Sequence, residues 1–197
     1  MSDRTKKKEI EMPSTESLKQ ELAHEKYVQR YRKGLRGVLY LLITAAALAV
    51  LIATLWLPVL HIYGDSMTPT LQEGDLIVAV KNERWSQGKL ICFWYNNRIL
   101  VKRAIAGPGD WVNIEEDGTV LVNGVALDEP YVGDMSLGDC DITLPYQVPD
   151  NRVFVLGDHR SVSIDSRNSA VGAIPMEQIV GTVLLRIAPF SRFGFLK

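Results

Sequence analysis

Ser66 lies in the stretch Ile62-Tyr63-Gly64-Asp65-Ser66-Met67-Thr68-Pro69-Thr70, directly after the one long apolar run of a 197-residue chain. A serine hydroxyl is a weak nucleophile at neutral pH, and acyl transfer through it needs a base alongside. Its neighbours suit close approach by another chain. Gly64 leaves the backbone free to come near a bound segment. Pro69 removes a backbone donor, which reads as the end of an edge strand.

Three histidines are candidate bases: His24, His61 and His159. His24 precedes the apolar run, on the other side of it from Ser66. His61 borders the run, where an interfacial polar side chain is the simpler reading. His159, in the polar turn after Gly157-Asp158, stays open as the partner in a Ser-His pair.

Lys102 is the fourth candidate. In Ile99-Leu100-Val101-Lys102-Arg103-Ala104-Ile105, strand alternation puts Lys102 on one face with Leu100 and Ala104. Burial there disfavours the ammonium and lowers its pKa, by up to about 3–5 units when desolvation is complete. The neutral amine that results is a base near physiological pH. The alternative is an edge-strand lysine that reaches water and discourages aggregation.

A third stretch, Gly157 to Arg167, is dense in hydroxyls and charges. Ser163, Asp165 and Arg167 alternate, so an extended segment projects them together. A hydroxyl there can hold the lysine amine in line, and an Asp165–Arg167 salt link can brace the loop. The alternative is a solvated polar turn.

The elements that must position these residues begin with a charged lead-in, residues 1–36. Lys6-Lys7-Lys8 stands near its start, and a helix from about Thr15 follows Pro13 and Ser14, with Glu16 in the first turn. Gly37 to Leu60 carries no charge over 24 positions. As a helix this run covers roughly 36 Å, enough for a hydrocarbon core of about 30 Å, and it is read as a transmembrane helix. Arg30, Arg32, Lys33 and Arg36 precede it, whereas no Lys or Arg occurs from His61 to Val80. The positive-inside rule therefore places the N-terminus in the cytoplasm and residues 61–197 outside. A cleaved secretory signal fits less well, because the run is too long and the polar region before it is extended.

Beyond the span the pattern is β. Strands are expected at Leu76–Val80, bounded by Glu73-Gly74-Asp75 and Lys81-Asn82, and at Ile91–Tyr95, Ile99–Ile105, Trp111–Ile114, Thr119–Val122, Val125–Leu127, Arg152–Leu156 and Val180–Ile187. Asn96-Asn97 and Asn123-Gly124 are hairpin turns. Residues 128–150, with Pro130, Gly133, Gly138, Pro145 and Pro149, read as a loop-like excursion from the core. The fold class is thus mainly β, a sandwich or partly closed barrel on one N-terminal transmembrane helix.

Charge and cysteine content narrow the partners. Residues 1–36 hold ten Lys and Arg against six Asp and Glu, and residues 61–197 hold twelve against seventeen. The larger part is acidic and shows no basic stripe, so no nucleic-acid partner is expected. Cys92 and Cys140 make neither a disulfide framework nor a zinc spacing. No metal or organic cofactor is implied.

Three ordered boxes, Gly-Asp-Ser-Met-Thr-Pro-Thr-Leu at 64–71, Val-Lys-Arg-Ala-Ile-Ala-Gly-Pro-Gly-Asp at 101–110, and Gly157 to Arg167, resemble those of the bacterial type I signal peptidases. The resemblance implies a signal-peptidase/repressor-like β domain and a membrane-bound Ser-Lys endopeptidase. Ser66 would be its nucleophile and Lys102 its general base. Ser163 would orient the amine, with Asp165 and Arg167 as the supporting salt link and Gly157 packed close to the dyad. The Ser66 backbone N–H would help form the oxyanion hole. Some members add a hydroxyl donor at the position of Gly64, and here there is none. His159 stands where many members have Asn, and the segment from Arg167 to Gly172 looks longer than the common form.

The resemblance also implies a substrate: the signal peptides of exported preproteins. Such a chain would add as a strand between Leu60–Tyr63 and Ile99–Val101. Shallow pockets lined by Leu60, Ile62, Tyr63, Met67, Leu100 and Val101 would accept the small residues of Ala-x-Ala sites. The enzyme would sit in the bacterial plasma membrane, in contact with the lipid bilayer and near the export translocon. Phe190, Phe193 and Phe195, with Trp85, would either dip into the membrane or join the core. Two other readings stand beside this one: a self-cleaving repressor relative, opposed by the span and the acidic β region, and a membrane-anchored β module that is inactive or binds partners.

Overall fold

A computed structural model of the chain describes residues 14–81 and 85–196. The readings on Lys6-Lys7-Lys8, Pro13 and Asn82 fall outside these residues. The chain divides into two compact units, residues 1–52 and 53–197.

The first element is one continuous helix, α1 (Thr15–Trp56). Ser14 caps it, its Oγ accepting the Ser17 N–H at 3.2 Å, and Glu16 occupies the first turn. The helix is long and apolar enough to cross a membrane by length and composition. The apolar run to Leu60 is not helical throughout, however, because α1 stops at Trp56. Pro58 follows, and the residue before a proline is pushed out of the α region. Leu60 consequently lies in a strand.

Among the described residues twelve strands follow: β1 (Val59–His61), β2 (Leu76–Val80), β3 (Leu90–Tyr95), β4 (Arg98–Ala106), β5 (Trp111–Ile114), β6 (Val120–Val122), β7 (Val125–Ala126), β8 (Tyr146–Gln147), β9 (Arg152–Leu156), β10 (Ile174–Pro175), β11 (Ile179–Ala188) and β12 (Gly194–Phe195). The larger sheet has the order β1-β2-β11-β3-β4-β9-β10, with β12 against β11. The smaller runs β7-β6-β5-β8. Strand pairing is antiparallel in both sheets. Two of the turns are those the dipeptides predict: Asn96 and Asn97 take φ of 45° and 61°, and Asn123 and Gly124 take 53° and 79°. Positive φ at both positions matches the twist of the flanking strands.

Strand β4 is central. It pairs with β3 along Arg98–Arg103 and with β9 from Arg103 to Ala106. Apolar side chains bury both of its faces: Val101 belongs to a cluster with Ile62, Met67, Leu71 and Ile77, whereas Ala104 packs with Ile91, Phe93, Val153 and Val155. Lys102 is therefore an interior lysine, 4% exposed: its stretch of β4 lies beyond the β9 pairing, yet its side chain does not reach water as the edge-lysine alternative required. The apolar face that alternation assigned to Lys102 is present, with Leu100 and Ala104 in one cluster, and the opposite face of β4 is covered as well.

Other expectations change as well. Pro69 does not end a strand; it sits in a run of turns from Ser66 to Thr70, in which Leu71 N donates to Met67 O at 2.8 Å. Residues 128–150 pack down onto the protein, with Val148 buried and Leu137, Ile142, Leu144 and Tyr146 against the smaller sheet's core. Phe190, Phe193 and Phe195 are exposed, so the core alternative fails for them, while Trp85 packs on the β3–β4–β9 cluster.

The packed excursion is fastened by a buried ion pair. Both Arg160 Nη groups donate to Glu129, at 2.6 and 3.1 Å, and each side chain is 1% exposed. Removing one member strands the other's charge in the interior, which typically costs about 3–5 kcal/mol. Glu129→Ala should lower the thermal unfolding midpoint of the full chain in detergent clearly below that of the parent, as followed by circular dichroism.

Candidate active site

The end of β9 sets the geometry. Arg103 pairs with Leu156 across the β4–β9 ladder, so one antiparallel step further brings Gly157 beside Lys102. A Cβ at Gly157 would overlap Ser163 Oγ and the Ser66 carbonyl oxygen. The glycine thus lets three segments meet: the Ser66 turn, the Lys102 strand and the loop carrying Ser163.

Lys102 Nζ donates to Ser163 Oγ at 2.8 Å, with both residues buried. Burial lowers the Lys102 pKa from its ordinary 10.5 to about 8. Asp165 and Asp158 oppose that fall, while Arg167 adds to it. The amine is thereby poised to exchange a proton near neutral pH.

Asp165 and Arg167 form a two-pronged pair, Arg167 Nε to Oδ1 at 2.8 Å and Nη2 to Oδ2 at 2.9 Å, both side chains fully buried. Asp165 Oδ2 also accepts the Gly157 N–H at 2.9 Å, which ties the ion pair to the glycine junction. Arg167 reaches further, donating to the carbonyls of Leu137 at 2.6 Å and Arg160 at 2.8 Å.

Reading by residue type missed a second pair in this region. Arg103 grips Asp158 through Nε at 2.8 Å and Nη2 at 2.6 Å, and Thr70 Oγ1 donates to the same carboxylate at 2.6 Å. Asp158 thus joins the residue after Lys102 to the turn that begins at Ser66. The only signal was the adjacency of Arg103 to Lys102 and of Asp158 to Gly157. Glu129 gave no signal, since its partner Arg160 lies 31 positions away.

Ser66 is half-buried, and among the described residues neither its hydroxyl nor its N–H has a protein partner. Ser66 and Lys102 line one groove of about 1060 Å3, without a hydrogen bond between their side chains. Leu60, Ile62, Tyr63, Gly64, Met67, Leu100 and Val101 line the same groove. Gly64 takes a φ of 78° with open space around it. His159 is near but turned elsewhere: its backbone N–H donates to Ser66 O at 3.2 Å, and its ring engages Thr68 and Asp65.

Cys92 and Cys140 are free thiols, and burial pushes Cys92 up to about 11. Among the described residues no cluster of His, Cys, Asp or Glu has the makings of a metal site.

A serine and a buried amine converging on one open groove suit acyl transfer, the chemistry of a serine hydrolase. A family model described as "Signal peptidase, peptidase S26" matches residues 35–188. Signal peptidase IB of Staphylococcus aureus (strain MRSA252) is 39% identical over 154 residues, 68% of this chain and 79% of the relative. Signal peptidase I of Bacillus licheniformis is 35% identical over 166 residues, 76% and 87% of the two chains. A crystal structure of a signal peptidase I from Enterococcus faecalis V583, 30% identical, covers 50% of this chain and 96% of its own, with a TM-score of 0.41. The chain belongs to the peptidase S26 family and is a signal peptidase of type I.

The contacts at Gly157 lead to a test. A methyl group there must displace either the Ser163 hydroxyl or the Ser66 backbone, and misplacing reacting groups by about 1 Å costs roughly 100-fold in rate. Gly157→Ala should lower kcat/KM for a signal-peptide substrate by about that factor, while circular dichroism shows the fold retained.

Proposed function

We propose that the chain is a membrane-anchored serine endopeptidase that releases exported preproteins from their signal peptides through a dyad of Ser66 and Lys102. The observation that carries this reading is the buried Lys102 amine, held by Ser163 in the groove that Ser66 also lines.

The chemistry follows from that arrangement. Neutral Lys102 takes the proton from Ser66 Oγ as the oxygen attacks the scissile carbonyl. The Ser66 N–H stabilises the negative charge on the former carbonyl oxygen, with the backbone at Gly64 as the neighbouring donor candidate. Protonated Lys102 then gives its proton to the departing amine, leaving an acyl-enzyme. Water deprotonated by the same amine attacks the ester, and the proton returns to Ser66. Ser163 keeps the amine aligned, and the Asp165–Arg167 pair holds the Ser163 loop in place.

The substrate binds extended. Among the described residues the Arg98–Lys102 part of β4 has only β3 as a strand partner, and β1 ends its sheet. Both stretches line the groove, so a signal-peptide end can add main-chain bonds to both borders. The apolar lining from Leu60, Ile62, Met67, Leu100 and Val101 suits small residues of the Ala-x-Ala type. Residues 1–36 lie in the cytoplasm, α1 crosses the bilayer near the translocon, and the β domain lies outside, because the basic residues Arg30, Arg32, Lys33 and Arg36 precede the apolar run.

Incubation with a preprotein bearing an Ala-x-Ala site should give cleavage by the parent chain and none by Ser66→Ala or Lys102→Ala; product in either variant would refute the dyad. The base is the unprotonated amine, so kcat/KM should rise with pH and level off above an apparent pKa of about 8. A flat profile between pH 6 and 10 would exclude an amine base.

The same burial has a consequence for stability. The folded pKa is lower than the unfolded one, so the cost of the charged amine is fully present below pH 8 and is relieved as pH rises from about 8 to 10.5. Lys102→Met should therefore raise the free energy of unfolding at pH 6–7, by an amount bounded at about 3 kcal/mol, read as a higher unfolding midpoint. The gain should shrink as the pH approaches 10.5.

A further inference from the structure

His159 has no part in the dyad, yet it is bonded to the nucleophile turn at several points. Its backbone N–H donates to Ser66 O at 3.2 Å. Ring Nδ1 lies 2.8 Å from Thr68 Oγ1 and 3.2 Å from Asp65 O. The Thr68 hydroxyl already donates its one hydrogen to Asp65 O at 2.9 Å, and a carbonyl oxygen can only accept. All three contacts are satisfied together only if Nδ1 carries a hydrogen and donates.

On its other side the ring meets Asp134, with Nε2 at 3.8 Å from Oδ2, too long for a hydrogen bond. Asp134 itself accepts the N–H groups of Arg160 and Ser161, at 3.0 and 3.1 Å, and forms a β-bridge with His159. The histidine is thus wedged between the 128–150 excursion and the turn from Asp65 to Thr68.

We propose that His159 is a positioning residue for the nucleophile: as a fixed Nδ1–H donor it clamps the Asp65–Thr68 turn, so that the Ser66 hydroxyl and amide face the groove. The rate part of this inference rests on Ser66 being the nucleophile; the hydrogen-bond part does not.

The distinguishing variant is His159→Asn, whose Nδ2–H sits at the δ position and can replace the Nδ1–H. Loss of one such bond corresponds to roughly a tenfold effect. On an Ala-x-Ala peptide, His159→Ala and His159→Asp should lose about tenfold in kcat with KM changed less than twofold. His159→Asn should retain at least half of the parent kcat. An Asn variant as poor as the Ala variant, or an Ala variant equal to the parent, would overturn the proposal.

A second readout needs no turnover. Long-range 15N–1H NMR of the full chain in detergent micelles, assigned by the signal lost in His159→Asn, should show the neutral ring with its hydrogen on Nδ1. A hydrogen on Nε2 would refute the clamp. A parent chain with no cleavage at all would count against the dyad and leave the NMR result standing.

Discussion

A lysine amine kept out of water is the constraint on which the proposed site depends. Lys102 stands on β4 with apolar side chains over both faces of the strand, and its amine donates to the Ser163 hydroxyl. That environment makes the ammonium costly and the amine basic near neutral pH. The flanking segments hold the amine in this buried position.

They do so with charge. Three buried arginine–carboxylate pairs, Arg103–Asp158, Arg160–Glu129 and Arg167–Asp165, surround the junction at Gly157, each with side chains 1% exposed or less. Buried pairs of this kind contribute little net stability, because desolvation offsets most of their attraction. What they add here is geometry. Each arginine is planar and multiply bonded, so each pair fixes its segments in a single arrangement: β4 to the loop after β9, the excursion to that loop, and the loop within itself. Their fields also act on Lys102, with Asp165 and Asp158 pulling its pKa up and Arg167 pushing it down.

The groove follows from strand pairing rather than from any motif. Strand β9 stops at Leu156 so that Gly157 can turn, and that early stop leaves the Lys102 half of β4 without a neighbour on one side. Among the described residues, the part of β4 that lines the groove with Ser66 therefore has an unpaired border. A peptide in extended form is the natural complement to such a border.

Much of this was legible in the chain. The apolar run, the Asn-Asn and Asn-Gly turns, most strands and the three chemical boxes are local signals, because helix length, turn φ values and side-chain alternation are set by neighbours in sequence. Ser66, Lys102, Ser163, Asp165 and Arg167 were candidates by type and spacing, and their roles came from the resemblance of the three boxes rather than from spacing alone. Three features were not legible, and each is a matter of contact between distant segments. Strand alternation indicated the apolar face on which Lys102 lies, but how completely it is buried depends on the distant segments packed around β4. The Arg103–Asp158 and Arg160–Glu129 pairs join residues 55 and 31 positions apart. The fate of residues 128–150, rich in turn formers and yet packed on the core, was decided by apolar side chains and one buried carboxylate finding partners that only the folded chain brings within reach.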